Sequence, residues 1–294
     1  HMKQIYTLAG LQVLIACLLT LSFSIGLSAQ KTSEEKLTAE GLLGKHLESI
    51  GSTEARSAFK SATIVGTSKA TFYGRGGGNA DGISVLASEG DKYMVAMKFN
   101  NSDYPFEKMG FDGNEFSVGF VRPGVRSNLG SFLLTNERTF KRGIMSGALS
   151  ASWALLNFDQ KEAKIKYSGT KKIDGKKLHA LDYNPKRGSD LSITLFFDPD
   201  TYRHVRTEYK RVIAARQGAG GVDSSAGQSE TRHTMVEEFS DFREENKLML
   251  PHTYKIYLEI LSGNGTTSYN WLIDLNKFAF NHDIDDKDFK VDAY

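Results

Sequence analysis

The most regular pattern in the chain lies between Thr231 and Leu275, where apolar and polar side chains alternate through three successive runs. Tyr254, Ile256, Leu258 and Ile260 share one parity and Lys255, Tyr257 and Glu259 take the other, the period of a half-buried strand. Thr267, Tyr269, Trp271, Ile273 and Leu275 repeat the pattern against Ser268, Asn270 and Asp274. Ser262-Gly263-Asn264-Gly265 between them carries residues that tolerate positive φ, which predicts a hairpin. Pro251 has no N–H to give to a ladder, so it is expected to open its strand rather than sit inside it.

Elsewhere the period changes with position. Thr32-Ser33-Glu34-Glu35 has the form of a capping box, and Leu37, Leu42, Leu43, Leu47 and Ile50 make an apolar stripe that stops at Gly51, so one amphipathic helix should open the domain. From Ser61 to Val121 the signals are strands, clearest at Tyr93, Val95, Met97 and Phe99 and at Phe116, Val118 and Phe120, with a turn at Asp112-Gly113-Asn114. At Ser127 the pattern breaks. Leu129, Phe132, Leu133 and Phe140 have helical spacing, and beyond Gly143 a second helical segment would put Met145, Leu149, Ser152, Trp153 and Leu156 on one face. Residues 127–157 therefore read as a helical insert in the sheet.

Strands resume at Glu162 and include Leu191, Ile193, Leu195 and Phe197, then Val205, Thr207 and Tyr209, with turns at Asp174-Gly175 and Asp198-Pro199-Asp200. Residues 216–229 are dominated by Gly, Ala, Ser and Gln and read as a flexible hairpin loop. No repeat with a period of 20 to 50 residues is present, against a propeller or solenoid. The expected class is mainly β (α+β), with roughly ten or eleven antiparallel strands joined by short turns. So wide a sheet must curl, and its single apolar face must be covered by the helices or by a ligand.

The N-terminus sets the compartment. His1 ahead of Met2 reads as an addition to an initiator Met, and the apolar stretch from Leu8 to Leu27 closes on Leu27-Ser28-Ala29-Gln30. Residues 2–29 read as an export signal cleaved after Ala29, before the polar run Lys31-Thr32-Ser33-Glu34-Glu35-Lys36. An uncleaved membrane anchor is the competing reading. Leu14-Ile15-Ala16-Cys17 also resembles a lipobox, which would anchor the chain through a lipid on Cys17. That cysteine is the only one, so residues 30–294, read as a single domain, contain no disulfide. The net charge of +2 gives no electrostatic footprint for nucleic acid, and a monomer is expected.

Catalytic signals are weak. Gly74-Arg75-Gly76-Gly77-Gly78 lacks the Lys-Ser/Thr of a phosphate loop and precedes a strand rather than a helix, so it reads as a hairpin. His46, His179, His204, His233, His252 and His282 show no metal-ligand spacing, with His204 and His252 at expected strand starts. Asp283-Ile284-Asp285-Asp286-Lys287-Asp288 lacks the mid-loop Gly and final Glu of a calcium loop. No nucleophile elbow occurs. An enzyme is not expected, nor is a cofactor. The large soft or flat side chains of Met97, Phe116, Trp153, Tyr209, Met235, Phe239, Tyr254 and Trp271 are of the kind that line acyl-chain sites, although the same residues would serve as ordinary core. The alternating positions Val95, Val118, Leu195, Phe197, Ile256 and Ile273 complete this candidate lining.

Several short signatures are similar to the LolA-like, outer-membrane lipoprotein-sorting family of lipid carriers. They are the opening helix ending at Ile50-Gly51 and the turns Ile173-Asp174-Gly175 and Phe197-Asp198-Pro199-Asp200-Thr201-Tyr202. Phe239-Ser240-Asp241-Phe242 with Leu250-Pro251, and Ile273-Asp274-Leu275-Asn276 before Asp288-Phe289, continue the resemblance. It implies an unclosed antiparallel β-barrel of about eleven strands around an apolar cavity, with helices as plug or lid. It also implies a periplasmic carrier in a Gram-negative-type bacterium, with acyl chains of a lipid or lipoprotein as cargo and envelope donor and acceptor proteins as partners. By position Phe132, Leu133, Leu149, Trp153 and Leu156 would gate the cavity, and Arg122 and Arg126 would contact a head group. The alternative is an interaction or structural protein of the envelope whose own helices fill the cavity.

Overall fold

Among the described residues, twelve antiparallel strands form one unclosed sheet, one more than the upper count from the sequence. The computed structural model describes residues 36–74, 77–186, 189–214 and 230–291. The expected export signal, Cys17, the capping box at 32–35, Arg75 and Gly76, and the 216–229 loop lie outside the described residues. All the elements below belong to a unit that begins at Leu37.

The strands make two meanders. The first comprises β1 (Ser61–Tyr73), β2 (Gly78–Glu89), β3 (Lys92–Phe99), β4 (Phe106–Phe111) and β5 (Phe116–Val118). The second comprises β6 (Lys164–Ile173), β7 (Lys176–Asn184), β8 (Ser192–Phe197), β9 (His204–Ile213), β10 (Thr231–Glu245), β11 (Leu248–Ser262) and β12 (Gly265–Phe280). Pairing of β1 with β12 joins them, giving the order β5-β4-β3-β2-β1-β12-β11-β10-β9-β8-β7-β6. Each meander thus ends at an outer edge, β5 at one and β6 at the other. With neighbouring strands ~4.8 Å apart, the connection from β5 to β6 must cross a sheet some 50 Å wide if laid flat.

That connection is the insert. It contains α3 (Asn128–Thr135), α4 (Glu137–Phe140), a 3-10 turn at Gly147–Leu149 and α5 (Phe158–Lys161), after which β6 begins at Lys164 rather than Glu162. Ser127 caps α3, its hydroxyl accepting the Gly130 N–H at 2.8 Å. The second helix expected beyond Gly143 does not form. Gly143, Ser146 and Gly147 have φ of 71°, 69° and 54°, and three left-handed residues interrupt any helical ladder. Met145, Leu149, Ser152 and Trp153 are nonetheless buried, and Leu156 half-buried.

The opening helix α1 runs from Ala39 to Ile50, and α2 (Thr53–Ala58) follows. Its cap is Thr38, whose hydroxyl accepts the Gly41 N–H at 3.0 Å, so the start lies later than the sequence suggested. Leu42, Leu43, His46 and Ile50 form its buried face. Pro251 is also placed differently, as the fourth residue of β11, which puts His252 inside that strand too. There β11 pairs with β10, through Phe242 opposite Pro251, whereas pairing with β12 starts only at Thr253. A residue without an N–H is tolerated where the ladder is one-sided.

Two of the predicted hairpin turns form as expected. Ser262 pairs with Gly265 around a two-residue turn. Asp174 and Gly175 join β6 to β7 with φ of 48° and 85°, the double positive φ of a tight hairpin turn. The parity read from the sequence fixes the inner face. One row across the sheet is Leu195, Thr207, Glu237, Ile256, Trp271, Ala70 and Ala80; the next is Tyr183, Ile193, Tyr209, Met235, Leu258, Tyr269 and Phe72. With the insert and α1 these rows build one continuous core.

Candidate functional site

The positions expected to line an acyl cavity come together. Val95, Met97, Phe116, Val118, Leu195, Phe197, Tyr209, Met235, Phe239, Tyr254, Ile256, Trp271 and Ile273 are buried on the inner face. Phe132, Leu133, Leu149 and Trp153 reach them from the insert, and Leu156 lies half-buried at its margin. In this structure the insert occupies the space, so these side chains pack as a filled core. Between His46, His204, Phe239 and Phe242 the remaining gap is about 10 Å³, room for one water at most.

An irregular insert carries backbone groups that no helix or strand satisfies, and the sheet supplies their partners. The Tyr93 hydroxyl donates to the Phe140 carbonyl at 2.7 Å. Glu237, fully buried in the apolar row, accepts the Ser146 N–H at 2.8 Å. It also accepts the hydroxyls of Tyr254 at 2.5 Å and Tyr209 at 2.6 Å. Burial raises the Glu237 pKa, and these three donors oppose the rise.

Beside this latch lies an aromatic cluster built on two histidines. The Trp153 ring stacks on His204 with centroids 5.1 Å apart and meets His46 edge-on at 5.2 Å. Phe239 closes on His204 at 4.9 Å. His46 Nδ1 is 2.9 Å from the Tyr202 carbonyl, which can only accept, so the neutral ring carries its proton there. Burial lowers the His46 pKa to about 4 and takes His204 well below its ordinary value, with His46 adding to the latter shift. Both rings are therefore neutral and serve as flat packing surfaces near neutral pH.

An open mouth pocket of about 210 Å³ lies where the insert enters the sheet. It joins Arg122, Arg126 and Trp271, all singled out in the sequence, with Phe72, Asp103, Tyr104 and Tyr269. Arg122 is exposed. Arg126 lies 4.2 Å over the Phe120 ring and donates Nε–H to the Val118 carbonyl at 3.3 Å. Among the described residues no carboxylate forms an ion pair with either arginine. Deeper in, Trp271 Nε1–H donates to the Tyr104 hydroxyl at 2.9 Å, and that hydroxyl donates to Glu107 at 2.5 Å. Burial raises the Glu107 pKa to about 7, opposed by the Tyr104 and Ser127 hydroxyls.

Glu107 and Glu237 escaped the sequence reading, and His46 entered it only as a histidine without metal-ligand spacing. A signal was present: each is a polar residue on an apolar stripe, Glu107 in step with Met109 and Phe111, Glu237 with Met235 and Phe239, and His46 with Leu42, Leu43 and Ile50. The Glu245 carboxylate accepts from His252 Nε2, 3.1 Å away, and Asp283–Asp288 ends in a 3-10 turn capped by Asp285. Among the described residues no group of three or more His, Asp or Glu side chains is placed to hold a metal ion.

No family model matches the chain, and neither does any curated protein. Among solved structures it is similar to a LolA superfamily protein from Nitrosomonas europaea, with 14% identity and a TM-score of 0.46 over 86% of this chain and 97% of that one. MucB in complex with MucA, from Pseudomonas aeruginosa, is similar at 10% identity and a TM-score of 0.24, covering 83% and 99%. An outer membrane lipoprotein-sorting protein domain from Vibrio parahaemolyticus is similar at 12% identity and a TM-score of 0.41, covering 85% of this chain and 97% of that domain.

Proposed function

We propose that the protein binds the acyl chain of a lipid or lipoprotein against its inner face and carries it through the periplasm, without catalysis. The structure described here is then the empty form, with the insert as plug. One observation carries this reading: the apolar inner face is covered by a crossing segment with only short helices, packed through its apolar side chains and a few polar contacts, not by a second sheet. A plug of this kind can be exchanged for a ligand of similar apolar character. At roughly 0.8 kcal/mol per buried methylene, one acyl chain can compete with the side chains it displaces. The mouth pocket, with Trp271 at its wall and Arg122 and Arg126 at its rim, suits an acidic head group. At 210 Å³ it falls below the ~300 Å³ lower range of ligand pockets, so the chain enters only as the plug moves. The apolar stretch from Leu8 to Leu27 supports export.

The filled core favours a second reading, an envelope interaction protein whose plug never leaves. Trp153→Ala separates the two. Its stability loss, on the order of 3–5 kcal/mol, is common to both. A carrier with a loosened plug should bind a fluorescent fatty acid more tightly than wild type and co-purify with lipid from membrane-containing lysate, as seen by native mass spectrometry. Absence of binding and of lipid in both forms would leave only the second reading.

A further inference from the structure

The β6–β7 hairpin carries a charge that the proposed cargo site does not use. Residues 164–177 hold six lysines, Lys164, Lys166, Lys171, Lys172, Lys176 and Lys177, against a single acid, Asp174. The whole chain is only +2, so the remainder is net acidic. All six lysines are exposed, and among the described residues none forms a salt bridge or donates a side-chain hydrogen bond. Lys171 lies with its Nζ 5.8 Å from the centre of the Phe196 ring, and Lys176 acts on Asp198 only through space.

Lysines on an edge strand commonly guard against sheet-to-sheet pairing, and β6 is an edge. That role covers the lysines of β6. Lys176 and Lys177 sit on β7 ahead of its pairing with β8, which begins only at His179, so the hairpin tip extends past that strand. The register sets Lys172 opposite Lys177 and Ile173 opposite Lys176, and the tight Asp174-Gly175 turn holds four of the six charges at one tip. Like charges directly opposite each other destabilise a strand pair, so the arrangement weakens the hairpin rather than supporting it.

We propose that this hairpin docks the protein on an anionic phospholipid bilayer. Every cation is a lysine, a mobile point charge, and none is an arginine whose planar fork would match a defined carboxylate or phosphate. The lysines occupy both faces and the tip of a projecting hairpin, with no groove between them to select a shaped partner. A fluid sheet of negative head groups meets such a surface without fixed geometry, and each lysine near it adds to the attraction. The docking goes beyond acyl-chain binding and does not depend on it.

The test uses the chain from Gln30 onward, which contains the whole sheet, in vesicle co-sedimentation. Wild type should bind vesicles with about 30 mol% phosphatidylglycerol at least tenfold more strongly than pure phosphatidylcholine vesicles, and lose the difference in ~0.5 M salt. Reversal of the tip charges in K171E/K172E/K176E/K177E should abolish the preference, and the milder change of the same four lysines to Gln should reduce it without lowering the thermal transition. Equal binding to the two vesicle types, or a preference that survives in the Gln variant, overturns the proposal. Binding to soluble polyglutamate without binding to the acidic vesicles also overturns it, in favour of an acidic protein partner. Fatty-acid binding in vesicle-free solution should be the same in all variants, which keeps this outcome separate from the carrier reading.

Discussion

The carboxylate of Glu237, on β10, accepts the backbone N–H of Ser146, in the insert, at 2.8 Å in a fully buried setting. A strand side chain thus holds a left-handed turn of the insert, since Ser146 has φ of 69° and Gly147 of 54°. Such backbone is adopted by a non-glycine residue only where surrounding contacts secure it.

Removal of this carboxylate should loosen the insert first. Glu237→Ala strips the acceptor from Ser146, Tyr209 and Tyr254 together, and each buried donor left unpaired costs about 1–3 kcal/mol. Urea unfolding should show a loss of about 3 kcal/mol or more. Hydrogen exchange at 144–156 should quicken more than in β8 or β12. Glu237→Gln should be far milder, because its amide oxygen can serve Ser146 and Tyr254 while Tyr209 turns to the Ile144 carbonyl, already 3.3 Å away.

Stability against pH should reflect opposed buried groups, among them Glu107 and His46. Glu107 has its pKa raised from 4.5 to about 7, so the folded state holds a proton that the unfolded state releases. Its contribution is complete below 4.5 and is lost as pH rises toward 7. His46, lowered from 6.5 to about 4, contributes fully above 6.5 and loses that contribution as pH falls toward 4. Each amounts to something on the order of 3 kcal/mol, and within the shared window they largely cancel. Glu107→Gln should therefore make stability rise more steeply with pH than in wild type between 4.5 and 6.5, and His46→Asn should tilt it the other way. Urea midpoints across that range would reveal either slope; parallel curves for all three proteins would contradict the assignment.

Gly143 turns the insert back on itself with φ of 71°, and a Cβ placed there would lie 2.2 Å from the Ser152 carbonyl oxygen. Both the backbone conformation and the space exclude a side chain. Gly143→Ala should cost about 3 kcal/mol, well beyond the usual penalty for alanine at positive φ alone. Gly90→Ala, at φ of 56° with open space around the Cβ, is the control and should cost only about 1 kcal/mol.

If an acidic head group sits in the mouth pocket, Arg122→Ala should weaken binding of an anionic single-chain amphiphile about fivefold to tenfold while leaving a neutral one of equal length unaffected. Arg122 is the cleaner probe of the two arginines, because Arg126 also supports the loop through Phe120 and Val118. Equal losses for both amphiphiles would mean that the arginine acts on the loop and not on the ligand.

Strand parity was legible because a side chain two residues on must face the same way. Tyr254, Ile256, Trp271 and Ile273 are placed correctly by that rule alone. The insert resisted reading because its burial comes from crossing the sheet, not from a period: Met145 to Leu156 look helical by spacing, yet residues with positive φ at 143, 146 and 147 break the helix. A polar residue on an apolar stripe was the overlooked clue. Glu237 violates the alternation of β10, and only the insert facing it supplies the reason.

The pairing of β1 with β12 sets Ala62 opposite Phe280 and Tyr73 opposite Ser268, in the middle of the sheet rather than at its rim. Nearly the whole domain therefore separates the two halves of its central ladder. Such a topology has high contact order and folds slowly. At synthesis rates of about 5–20 residues per second, β1 waits tens of seconds for the strand that completes it, with β2 on one side and a bare edge on the other. Synthesis exposes that edge to other chains for longer than any local hairpin would, and a chain that stops before β12 leaves the two meanders with no strand to join them.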